Sequence, residues 1–130
     1  MRISGFTYIR NGHKYQYPFI ESIQSLLSLV DELIVVVGDS VDGTRAAIES
    51  LAESKIKIVD SVWDASSRTG GKLFAEQANL GIRNCSGDWL IHLQADEVLM
   101  EDSKAKILRS IRLANSNDNI DPYKIFGIDK

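Results

Sequence analysis

Two short polar runs, each directly behind an apolar run, hold most of the chemistry this sequence can offer. The first is Gly38-Asp39-Ser40-Val41-Asp42-Gly43-Thr44, with two carboxylates and a hydroxyl ahead of a predicted helix start. Such a turn can accept hydrogen bonds from a base or ribose through Asp39 and present free N–H groups to an anion. The same residue types also build any ordinary strand-to-helix turn. The second run is Gln94-Ala95-Asp96-Glu97, whose adjacent acids follow an apolar stretch. Carboxylate oxygens there suit Mg²⁺ or Mn²⁺, which in turn grips a diphosphate. Alternatively, acids at that position only complement the N-terminal end of the next helix.

The two histidines add little: His92 lies inside a predicted strand, as a core or sheet residue, and His13 in a loop. Lys72, beside Gly70-Gly71, could reach a phosphate but equally suits a solvated helix start. The sequence contains no HExxH, Walker A or GxGxxG pattern and no Ser-His-Asp ordering, and its single cysteine excludes a CxxC pair. A P-loop ATPase and a dinucleotide dehydrogenase both lose support.

The elements that must position these groups are legible from hydrophobic period. Arg2 to Ile9 reads as a strand running into Asn11-Gly12. From Pro18 to Val30 the apolar residues Phe19, Ile20, Ile23, Leu26, Leu27 and Val30 recur at helical spacing. Leu33 to Val37 is apolar throughout and β-branched, as in a parallel strand covered on both faces. A helix from about 44 to 53, with Asp42 placed to cap it, a strand at Ile56 to Val59 and a helix from Leu73 to near Cys85 follow. Trp89 to Leu93 is a fourth strand and Glu101 to Leu113 a fourth helix, and residues 114–130 form an irregular polar tail. This alternation predicts one three-layer α/β domain over residues 1–130 with about four parallel strands and extra short elements from the tail. In such sheets ligands bind beyond the carboxyl ends of the strands, so the chemistry is expected after Ile9, Val37, Val59 and Leu93.

At 130 residues the chain supports one core, and its net charge of -3 with 25% charged residues shows no basic stripe for nucleic acid. No apolar run approaches the roughly 20 residues of a transmembrane helix, and no leader precedes the first strand. With the lone Cys85, these features give a cytoplasmic expectation.

Four segments taken together in order carry a resemblance: GFTYIRNG at Gly5 to Gly12, LIVVVGDSVDGT at Leu33 to Thr44, FAEQANLGI at Phe74 to Ile82, and SGDWLIHLQADE at Ser86 to Glu97. They resemble the DDGSTDGT-like turn, the ARNxG-like helix and the DADD-like strand end of the family 2, GT-A-type glycosyltransferases. The resemblance implies a nucleoside-diphosphate sugar as ligand. It places Thr7, Tyr8 and Arg10 beside the nucleoside, Asp39, Ser40 and Asp42 in the turn that contacts the base, and Lys72 near a phosphate. Gln94 and Asp96 fall at the diphosphate, with Asp96 and its neighbour Glu97 as ligands of a divalent cation, Mg²⁺ or Mn²⁺.

The sequence departs from that pattern at three points. Gln94 stands where the DxD motif has its first acid, Val37-Gly38 replace the paired acids of the DDGS turn, and Ala78 replaces the arginine of ARNxG. A neutral amide is a poorer partner for a hard cation. Only about 30 residues follow Glu97, among them Asp118, Asp121 and Asp129, and none matches the family's general base. The expected activity is therefore sugar transfer to an unknown acceptor, completed by a missing acceptor half. The alternatives are a non-catalytic nucleotide-sugar-binding or assembly protein and a nucleotidyltransferase of similar architecture. A domain stripped of its C-terminal cover is also expected to expose a sheet face or edge and to form a homodimer that buries it.

Overall fold

A computed structural model describes residues 1–63 and 71–116 and the backbone of residues 125–127. Three parallel strands form its first half: β1 (Ile3–Ile9), β2 (Glu32–Val37) and β3 (Ile56–Asp60). They are joined by α1 (Phe19–Leu27) and α2 (Thr44–Glu49). After α3 (Lys72–Asn84), β4 (Trp89–His92) returns to the far side of β1, and α4 (Glu101–Asn115) leads to β5 (Ile125–Gly127). The sheet order is β3-β2-β1-β4-β5, parallel throughout. Successive connections thus travel in one direction from β1 to β3 and reverse to reach β4. The reversal opens a crevice at the carboxyl ends of β1 and β4.

Strand alternation sorts side chains between the two faces. Ile3 and Ile9 of β1, Val35 and Val37 of β2 and Ile91 of β4 pack with Phe19, Ile23 and Leu26 of α1, Ile48 of α2 and Ile111 of α4. Phe6, Ile34, Val36 and Leu90 point the other way, toward Ala78, Leu80 and Ile82 of α3. Leu33 to Val36 are fully buried, which accounts for the unbroken apolar run that follows Glu32 in β2.

At the amino-terminal edge a polar knot ties the strands together. The Glu32 carboxylate accepts Ser4 Oγ (2.5 Å), Ser86 N–H (2.5 Å) and Ser86 Oγ (2.7 Å), while Gly87 N–H donates to Ser4 Oγ (2.8 Å). A Cβ on Gly87 would lie 2.5 Å from Ser4 Oγ and 2.7 Å from the Ser4 nitrogen, so the close approach requires glycine.

Several boundaries differ from expectation. Helix α2 stops at Glu49 rather than near residue 53, because the chain turns through Ala52 at φ 51°. Helix α4 runs to Asn115, whose Oδ1 accepts the Trp89 indole N–H at 3.2 Å. Strand β5 lies in the tail, where extra short elements were expected, and Asp118, Asp121 and Asp129 fall outside the described residues. Helices cover both sheet faces, so the exposed-face reason for a homodimer does not hold. One side each of β3 and β5 remains without a strand neighbour among the described residues.

Candidate functional site

The loop after β1 is shaped by the turn after β2. Asn11, buried and at φ 52°, donates its N–H to Ser40 Oγ (2.9 Å) and accepts the Val41 N–H on its Oδ1 (2.9 Å). Gly12 N–H donates to Thr44 Oγ1 at 2.9 Å, and Lys14 N–H to Asp42 Oδ2 at 2.7 Å. Asp42 Oδ1 also takes the Thr44 N–H and hydroxyl, which supplies the expected helix-start bond. Burial opposes the Asp42 charge, but the bonds from Thr44 and Lys14 outweigh it and hold the carboxyl below its ordinary range. Ser40, Asp42 and Thr44 therefore spend their side chains on clamping residues 11–14.

That clamp presents Arg10. Its Nε lies 3.3 Å from Asp39 Oδ1, and its guanidinium sits 5.9 Å from the Trp63 ring centroid. Asp39 Oδ1 also accepts the Trp63 N–H at 3.0 Å, and this bond together with the Arg10 charge keeps the carboxyl below its usual range. The Asp39 carboxylate, which also accepts its own backbone N–H, is 47% exposed at the rim of the cleft. Trp63 folds over Gly38, where a Cβ would come 2.5 Å from its Nε1. The indole thus occupies space that an acidic side chain at position 38 would need.

Between these groups and the end of β4 lies a cleft of about 260 Å³, lined by Tyr8, Ile9, Arg10, Tyr17, Trp63, Phe74, Gln94, Ala95 and Asp96. A second lobe of about 300 Å³ shares Arg10, Tyr17, Trp63 and Phe74 and adds Tyr15 and Leu73. Tyr15, Tyr17 and Phe74 are 51%, 41% and 51% exposed, unusually bare for residues of their size. The first lobe combines an arginine, an amide and a carboxylate with aromatic walls, the composition of a site for a polar ligand that carries a flat ring.

The expected site residues divide three ways. Tyr8, Arg10, Gln94 and Asp96 meet in the cleft, and Asp39 is bonded to its Arg10 wall. Ser40 and Asp42 serve the clamp beside it. Thr7, Glu97 and Lys72 lie off the lining. Thr7 is 3% exposed on the opposite face of β1 from Tyr8, with its hydroxyl buried and unpartnered. Glu97 is 7% exposed and turns back on its own loop, its Oε1 accepting the Gln94 N–H at 3.2 Å. Among the described residues no three His, Cys, Asp or Glu side chains are grouped to hold a metal ion. Among the described residues Asp96 is thus the one acid in the lining, and these donors fit a divalent cation only when a bound diphosphate supplies further oxygens.

The sequence reading passed over Tyr17, Trp63 and Phe74, which form much of the wall. Tyr17 and Trp63 lie in loops, where aromatics follow no spacing rule, and Phe74 reads in sequence only as an apolar position of α3.

Comparison with known proteins bears on the fold and the family. Residues 7–122 match the family model described as glycosyl transferase family 2. An uncharacterized glycosyltransferase of Rickettsia felis is 32% identical over 104 residues, covering 80% of this chain and 32% of the relative. One from Rickettsia bellii is 34% identical over 86 residues, covering 66% of this chain and 26% of the relative. This chain therefore spans about a third of the length of the curated relatives it matches. Among solved structures, Staphylococcus aureus TarS superposes with a TM-score of 0.64 at 19% identity, covering 88% of this chain and 20% of TarS. A TarS fragment, residues 1–349, solved in complex with UDP, gives 0.64 and 19% over 88% of this chain and 33% of the fragment. The expected α/β fold is confirmed. With four motifs in order, a parallel sheet reversing at β1 and a family match across most of its length, the chain belongs to glycosyl transferase family 2.

Proposed function

We propose that this chain is the donor-binding part of a glycosyltransferase, holding a nucleoside-diphosphate sugar in the cleft at the carboxyl ends of β1 and β4. The observation that carries this reading is the convergence of Arg10, Gln94 and Asp96 with four aromatic side chains at the point where the strand order reverses. Each group has work suited to such a ligand. Aromatic walls accept the flat base, and the exposed Asp39 carboxylate accepts an N–H or a ribose hydroxyl. The Arg10 guanidinium and the Gln94 amide donate to phosphate oxygens, and Asp96 takes a sugar hydroxyl or a cation. The UDP complex of TarS, a structural neighbour, favours a uridine nucleotide.

In the transfer, an acceptor hydroxyl attacks the anomeric carbon and the nucleoside diphosphate departs. The donors fixed around it stabilise the charge that develops on the leaving oxygens. Members of this family generally use a divalent cation. Here one would neutralise the diphosphate from a place beside Asp96, bound together with the nucleotide. No described side chain in the cleft stands out as the base that deprotonates the acceptor. This same observation favours the second reading, a domain that binds nucleotide sugar without turnover. No described helix is long and apolar enough to cross a membrane, and the unpaired Cys85 suits the cytoplasm.

Calorimetric titration with UDP, GDP, CDP and dTDP at pH 7.5 tests the proposal. At least one is expected to bind, and Arg10→Ala is expected to weaken it about tenfold or more, the value of a lost charge-assisted hydrogen bond. Folded protein that binds none of the four would remove the reading. Sugar turnover by this chain alone would remove the second one.

A further inference from the structure

The aromatic wall of the cleft continues into the core through a histidine. The His92 ring stacks on Phe6 at 4.9 Å and 12°, and on Tyr8 at 5.5 Å and 20°. Tyr8 stacks on Phe74 at 6.1 Å, Phe74 meets Trp63 edge-on at 5.9 Å, and Trp63 lies beside Arg10. Tyr8, Phe74, Trp63 and Arg10 all line the cleft, whereas Phe6 and His92 stand behind it. His92 Nε2 is buried with no hydrogen-bond partner among the described residues.

A stacked neutral imidazole with a buried, unpartnered nitrogen tolerates a proton badly. The added charge would be desolvated and would find no acceptor. We propose that His92 is a positioning residue, whose uncharged ring fixes Tyr8 and through it the Phe74–Trp63 wall, so that nucleotide binding requires His92 to be unprotonated. The inference rests on the cleft being the nucleotide site. Among the described residues the groups packed on the ring supply no counter-charge. The one titratable group facing the ring from β1 is Tyr8, whose own pKa burial raises, so it stays neutral. From α3 and its C-terminal cap the residues packed on that sheet face are the uncharged Phe74, Ala78, Leu80 and Ile82 and the thiol of Cys85, whose pKa burial pushes up to about 12 so that it stays neutral. Burial alone pushes the His92 pKa down from its ordinary value. The imidazole therefore acquires its proton at lower pH than an ordinary histidine.

The test is titration of the parent and of His92→Phe between pH 8 and pH 5, using whichever of UDP, GDP, CDP and dTDP binds the parent most tightly at pH 7.5. Phenylalanine keeps a flat ring in the stack and removes the titration. Taking the ratio of the two affinities cancels the ligand's own phosphate titration. The ratio of parent to variant affinity is expected to be constant above pH 7 and to fall toward tenfold per pH unit once His92 protonates. Linkage gives a second readout, on the parent alone. Saturating nucleotide should move the His92 midpoint, followed by NMR, to lower pH. Parallel affinity profiles for parent and variant would overturn the proposal. If His92→Phe does not fold, an unmoved His92 midpoint overturns it equally. No binding by any nucleotide at pH 7.5 is a different failure, that of the nucleotide site itself.

Discussion

Asp96 and Glu97 are adjacent in sequence and do different work. Glu97 accepts the Gln94 backbone N–H, and among the described residues Asp96 is the acid of the cleft lining. One carboxylate holds Mg²⁺ or Mn²⁺ weakly, so free protein should take up no Mn²⁺ at micromolar concentrations, while nucleotide and Mn²⁺ should each raise the other's affinity by the same factor. Titrations of nucleotide with and without Mn²⁺ measure that factor, and Asp96→Asn is expected to bring it to one. Nucleotide affinity indifferent to Mn²⁺ in the parent would remove the cation from the mechanism. A second acid, Glu32, sits far from the cleft. Burial works against its charge, but the bonds from Ser4 and Ser86 and the Arg2 charge together lower its pKa. A depressed carboxyl contributes stability that is present above its unfolded value and lost as pH falls through its folded value. Glu32→Gln should therefore cost about 2 kcal/mol in urea denaturation at pH 7, the scale of charge-assisted bonds. That difference should shrink as pH drops below about 4. A cost independent of pH would show that packing, not charge, is what the substitution removes.

The elements were legible where period and burial coincide. The uninterrupted Leu33 to Val37 run and the spaced apolar residues of α1 need no partner to be recognised, because each satisfies its own pattern. Loops were harder to read. Ser40 and Asp42 look like ligands in sequence because short polar side chains accept hydrogen bonds from anything, and the partners they chose, Asn11 and Lys14, lie about 30 residues away. Thr7 was open to exclusion by alternation alone, since Tyr8 and Thr7 cannot face one cleft together. β5 is three residues inside a polar tail, too short for any period to register. The clamp makes a prediction at this scale: Asp42→Ala frees the Lys14 and Thr44 N–H groups, costing about 1–2 kcal/mol of stability. It should also weaken nucleotide binding through Arg10, which thermal melting with and without ligand would separate. Full retention of affinity would mean that Arg10 does not depend on the clamp.

For the whole molecule, the relevant surfaces are the sheet edges. β3 is five residues long and carries Lys57 and Asp60, which blunts an edge, whereas β5 offers three residues of backbone and no cover among those described. So short an edge buries far less than the roughly 1,000 Å² of a stable interface. Self-association, if it uses β5, should be weak. Light scattering is expected to show a mass that rises with concentration above that of one 14.5 kDa chain. A mass fixed at one chain over the whole range would end the homodimer proposal and leave the edge for further chain.

The central place of β1 bears on how the molecule is made. Its first neighbour, β2, is complete at Val37, but its other side stays unpaired until β4 is finished at His92. At roughly 5–20 residues per second of synthesis, that leaves an apolar strand edge open for about 3–10 seconds on every ribosome. No local pairing can close it sooner, since parallel neighbours need a crossover between them. Nascent chains of this protein should therefore engage holding chaperones until residue 92 has cleared the exit tunnel and release them afterwards, a transition that crosslinking of stalled chains of graded length would locate.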